Sequence, residues 1–112
     1  MEISKDLIRG HTDTIILNIL NQGDSYGYQV SKSIRQLSDH QYELNEATLY
    51  TAFRRLEKLG DIESYWGDET QGARRKYYRI TSQGQDHLAT ALDEWRFAKK
   101  VISNLISGRI EL

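Results

Sequence analysis

Cysteine and proline are both missing from this chain, and each absence narrows what it can be. Without thiols there is no disulfide framework and no thiolate chemistry, and a reducing cytoplasm is the default compartment. Without proline the backbone suits helices with few rigid turns. No apolar run approaches the ~20 residues of a membrane span. The opening residues, MEISKDLIRG, also lack the charged-then-apolar layout of a signal peptide. Glycine-rich phosphate loops and nucleophile elbows do not occur. His11, His40 and His87 lie in separate elements, none with a neighbour at metal-ligand spacing. The acid pairs Asp68-Glu69 and Asp93-Glu94 are adjacent in sequence, point in different directions and read as solvated. Neither an enzyme nor a resident metal or cofactor is expected.

What is present is a chain of 112 residues, 38% hydrophobic and 28% charged, enough for one domain with a modest core. A chain this small leaves apolar surface that a partner can close. The net charge of −1 decides nothing about nucleic acid, because a groove responds to local charge rather than to the total.

Helical periodicity runs over residues 4–21, with Leu7, Ile8, Ile15, Ile16, Ile19 and Leu20 mainly on one side and Gly23 as a stop. Asp24 and Ser25 are N-cap candidates for a second helix reaching Leu37. That helix is expected to bury Tyr28 or Gln29, then Val30, Ile34 and Leu37. After a polar loop, Asn45 suits the N-cap of a third helix, ATLYTAFRRLEKLG, with Gly60 past its end. Leu49, Phe53, Leu56 and either Ala52 or Leu59 form its inner stripe. Thr48, Thr51, Arg55 and Lys58 lie opposite.

DIESYWG and RRKYYRIT, separated by a polar stretch with glycine at its margins, predict a β-hairpin. Alternation puts Ile62, Ser64 and Trp66 on one face of the first strand. In the return strand it puts Tyr78 and Ile80 inward and Arg75, Tyr77 and Arg79 outward. One long helix over 82–107 closes the chain, with Leu88, Ala91, Trp95, Ala98, Ile102 and Leu105 at heptad a and d positions. The fold class is thus mostly α with a small β-hairpin. It divides into a winged helix-turn-helix over 1–81 and a C-terminal dimerisation helix over 82–112, the heptad seam implying a second copy of the chain.

A DNA-reading helix turns its apolar face inward and exposes short polar groups and bases. On the third helix Thr48, Thr51 and Arg55 do so, with Tyr50 and Arg54 flanking to reach phosphates. The hairpin adds Arg74, Arg75 and Lys76, cations placed for the DNA backbone. Competing readings are a solvated helix face, and edge-strand cations that deter sheet association or pair with Glu63 or Asp61. On the long helix, Trp95 between the small Ala91 and Ala98 is either plain packing or a platform for a planar aromatic ligand. Lys99 reads as a solvated flank.

The run ELNEATLYTAFRRLEKLGDIESYW, followed by GARRKYYRIT and a terminal helix carrying ALDEW, resembles the PadR-type transcriptional regulators over about residues 5–107. The resemblance implies a homodimeric repressor whose terminal helices pair across a twofold axis and which binds a double-stranded operator through recognition helix and wing. The short multidrug-sensing members are the most similar. In them a flat central pore holds planar aromatic compounds between two tryptophans. By that likeness Trp95 is the platform, with Leu7, Gly10, Asp13 and Thr14 from the first helix and His87, Ala91 and Lys99 from the last as pore positions. Lys99 replaces an acid of that pore and Asp13 an uncharged polar residue, so any cavity has rearranged charges. Other members respond to phenolic acids or to no known ligand, and Trp95 would then serve packing alone.

Overall fold

The computed structural model describes residues 1–67 and 74–112. Residues 68–73 of the expected hairpin tip, Asp68, Glu69 and the QGA segment among them, lie outside the described residues. The order is α1 (Lys5–Ile8), α2 (Thr12–Asn21), β1 (Ser25–Tyr26), α3 (Gly27–Leu37), α4 (Glu46–Leu59), β2 (Ile62–Trp66), β3 (Lys76–Ile80) and α5 (Ser82–Ser107).

The single helix expected over 4–21 is two. Gly10 adopts φ +93, a left-handed conformation closed to most side chains, and the chain turns there before α2 begins. The turn leaves Leu7 exposed and brings Leu17 into the core beside Ile16 and Leu20.

Asp24 and Ser25 do not cap α3. Its N-cap is Tyr26, without a side-chain cap bond, and Ser25–Tyr26 instead pairs with β3. The sheet therefore has three antiparallel strands in the order β1-β3-β2 rather than two. The enclosed Ser25 hydroxyl donates to Oε1 of Gln29 at 2.9 Å, and Asp24 accepts from the Tyr65 hydroxyl at 2.6 Å. At the start of α3 the buried residue is Gly27, not Tyr28 or Gln29, because a Cβ there would collide with the Tyr50 ring. Leu37, expected inside, is exposed at the far end of α3.

Between α3 and α4 two non-glycine residues, Asp39 and His40, take positive φ. Ser38 closes this turn, donating to the Arg35 and Tyr42 carbonyls and accepting from the Tyr42 amide.

Helix α4 follows its sequence closely. The Asn45 side chain accepts from the Ala47 and Thr48 amides at 2.8 and 3.3 Å, and Gly60 ends the helix at φ +85. Leu49, Ala52, Phe53 and Leu56 are enclosed, and Leu59 is the exposed alternative. Phe53 stacks on Tyr78 with 4.0 Å between ring centroids, fastening α4 to the middle of the sheet. Burial raises the Tyr78 phenol above its ordinary pKa.

The hairpin register pairs Ile62 with Ile80 and Trp66 with Lys76. Ile62 is buried, but Trp66, expected on the same face, extends beyond the core and is largely exposed. Helix α5 starts from the Thr81 cap, whose hydroxyl accepts from the Gly84 amide at 3.0 Å. Leu88 is buried and Leu92 packs against the core. Beyond Ala98 the helix is exposed to its end, and the chain as a whole measures 69 × 32 × 20 Å.

Candidate nucleic-acid interface and interhelical cleft

Because α4 is pinned from inside by Phe53, its outer face is set. Thr48, Tyr50, Thr51, Arg54 and Arg55 are all exposed. The Thr51 hydroxyl donates to the Ala47 carbonyl at 2.8 Å and accepts from Arg54 Nη2 at 3.2 Å, so Thr51 orients its neighbour. Tyr50 leans edge-on against Phe53, 5.7 Å between centroids, and its ring covers Gly27. Arg55 makes a two-point contact with Asp13 of α2, through Nε at 3.1 Å and through Nη2. That bonding holds the Arg55 guanidinium above its ordinary pKa range.

Arg74 and Arg75 precede β3 rather than belonging to it, and Lys76 is its first residue. Each of these cations lies over an aromatic ring. Arg74 is 5.7 Å from the Trp66 ring centre, Arg75 4.6 Å from Tyr26, and Lys76 5.8 Å from Tyr78. Such contacts contribute about 0.5–1 kcal/mol at exposed sites, enough to orient a cation. Arg79 differs: it pairs across the hairpin with Glu63 at 2.9 Å, as one of the competing sequence readings anticipates.

A second feature lies on the other side of α2. Ile3, Leu7, Ile8, His11, Thr14, Ile15, Asn18, Ala91, Leu92 and Trp95 line a cleft of about 350 Å³ between the N-terminal segment, α2 and α5. His11 meets the Trp95 indole edge-on, 4.9 Å between centroids and 76° between planes. Of the sequence-derived pore positions, Leu7, Thr14, Ala91 and Trp95 meet here. Gly10, Asp13, His87 and Lys99 do not line it. Asp13 is engaged by Arg55, and His87 faces Asp61 with Nδ1 2.5 Å from Oδ2. His11 and Asn18, polar groups that the sequence reading does not assign to the pore, follow the stripe Leu7, His11, Thr14, Asn18. The break at Gly10 obscures that spacing. Among the described residues no cluster of three or more His, Asp or Glu side chains could hold a metal ion.

Three helices followed by a cation-bearing β wing make a winged helix-turn-helix, the architecture of DNA-binding regulators. The chain belongs to the Transcriptional regulator PadR-like family, whose profile matches residues 16–90. It is similar to a transcriptional regulator from Clostridium thermocellum, 52% identical with a TM-score of 0.87, covering 94% of this chain and 99% of that one. A PadR family transcription regulator from Clostridium difficile is 39% identical with a TM-score of 0.78, covering 88% and 100%. A Lysinibacillus sphaericus protein is 43% identical over 106 residues, 95% of this chain and 97% of that one. The protein is therefore a DNA-binding transcriptional regulator and not an enzyme. Among the described residues no helix is long and apolar enough to cross a membrane.

Proposed function

We propose that the protein is a homodimeric cytoplasmic repressor that reads a palindromic operator and responds to planar aromatic compounds bound beside Trp95, controlling efflux or detoxification genes. Thr48, Thr51 and Arg55 would face the major groove, with Tyr50, Arg54, Arg74, Arg75 and Lys76 reaching the backbone. The observation that carries the dimer is the uncovered far half of α5. This helix of 26 residues is about 39 Å long. Its seam residues Ile102 and Leu105, and Val101 and Ile106 beside them, are exposed. A contiguous row of exposed apolar side chains on one helix face supports an interaction surface. A twofold partner would cover it and bring two Trp95 indoles toward each other. A flat molecule between them would alter the separation of the two α4 helices, and with it the fit to half-sites about one helical turn apart.

A second reading, a regulator of the phenolic-acid-response or ligand-independent type with Trp95 serving packing, draws on the His11 edge contact, which already partners the indole within one chain. Sedimentation equilibrium together with tryptophan fluorescence, titrated with neutral, anionic and cationic planar dyes, separates the two. Dimer mass with quenching that disappears in Trp95→Ala supports the first. Dimer mass without quenching supports the second, and a monomer sinks both. The Trp95→Ala control is needed because Trp66 adds its own emission.

A further inference from the structure

Two adjacent arginines on α4 stand in different electrostatic situations. Arg54 donates to the neutral Thr51 hydroxyl at 3.2 Å, and among the described residues no carboxylate pairs with it. Arg55 is half of an ion pair with Asp13, which lies 42 positions earlier in the chain. Asp13 is the better enclosed partner, its side chain 26% exposed against 47% for Arg55. It also sits in the first turn of α2, where free backbone N–H groups favour a carboxylate. The first turn of α2 thus favours the Asp13 charge, and the Arg55 guanidinium docks onto it.

The consequence for DNA follows from charge. A free arginine beside a phosphate releases a counterion whatever the sequence. One neutralised by a carboxylate adds far less of that term, yet its planar fork stays oriented and keeps the outward Nη1 donors for a directional hydrogen bond. We propose that Asp13 is a specificity-determining positioning residue: it cancels the charge of Arg55 and fixes its guanidinium, so that Arg55 adds an orientation-dependent contact to double-stranded DNA rather than sequence-blind affinity. The inference rests on α4 being the DNA-facing helix.

The test uses the full chain with two probes, a mixed-sequence duplex and a duplex selected by this protein from a random library. Asp13→Asn keeps the shape and one acceptor but releases the cation. Binding to the mixed duplex is expected to strengthen. The slope of log K against log salt should steepen by about 0.9, the value for one more phosphate neutralised. Preference for the selected duplex should shrink. Asp13→Glu keeps the charge and should retain the original slope. Arg55→Lys keeps the cation but breaks the two-point contact, and should also lose preference. An unchanged slope in Asp13→Asn, or the same steepening when Arg55 is already Gln, overturns the role of Asp13. Thr48→Ala on the same duplexes checks the α4 surface independently. If it changes the preference while Asp13→Asn does nothing, only the present inference fails; if it changes neither affinity, the α4 surface fails with it.

Discussion

The Nδ1 of His87 lies 2.5 Å from Oδ2 of Asp61, a carboxylate whose side chain is only 3% exposed. The other oxygen of Asp61 accepts from Gln83 Nε2 at 2.9 Å, and its backbone carbonyl accepts the Thr81 amide at 3.0 Å. One residue just past α4 thereby binds three residues at the start of α5. This junction ties the start of α5 to the end of α4 through hydrogen bonds as well as through the core. Asp61→Ala removes the acceptor from two partners, and a loss of about 1–3 kcal/mol is expected. Thermal unfolding should show a midpoint several degrees lower, and an unaltered midpoint would rule the junction out.

Gly84 sits in the first turn of α5, where alanine would ordinarily improve a helix by about 1 kcal/mol. Here an added Cβ would meet the Asp61 carbonyl and the Ile80 side chain. Displacing packed backbone costs about 1–3 kcal/mol, so steric cost wins over propensity. Gly84→Ala should lower the denaturation midpoint in urea; a raised midpoint would show that α5 can shift freely on Asp61.

At the wing, Arg74→Ala should weaken binding to selected and mixed duplexes alike and flatten the salt slope by about 0.9, because a phosphate contact carries no sequence information. Arg79→Ala should change the slope much less, since Arg79 already pairs with Glu63. Equal effects of the two variants would contradict this division of the cations.

His11 and Trp95 share one cleft wall, so His11→Ala frees the indole edge. Dye quenching of Trp95 should persist in that variant if the ring is a ligand platform. Titration calorimetry should show an affinity altered by less than in Trp95→Ala, where loss of an aromatic stack is worth about 0.5–1.5 kcal/mol beyond area burial. The reverse ranking would make His11 the principal contact.

Helix α4 was the most legible part of the chain. Its N-cap, inner stripe and terminal glycine all act over four residues or fewer, and the structure keeps each of them. The inward pair Tyr78 and Ile80 was legible for the same reason, since a pleated strand alternates by its own geometry. The third strand was not, because Ser25–Tyr26 is too short to show a period and exists only through its pairing with β3. In the cleft, Trp95, Ala91, Leu7 and Thr14 were within reach of family likeness. His11 and Asn18 came together with them only once Gly10 had turned the chain.

By itself the sequence determined α4, α5, the body of α3 and the two hairpin strands with their order, because periodicity, alternation and the α4 cap are short-range properties of the chain. Tertiary structure alone decided which charges remain available: that Arg55 answers to Asp13, that Arg79 answers to Glu63, and that His87 turns to Asp61 instead of the cleft. Two of these pairs join residues more than twenty positions apart, Asp13 with Arg55 and Asp61 with His87. Even the shorter Glu63–Arg79 pair depends on strand register, and no local pattern of residues encodes which distant partner a side chain will meet.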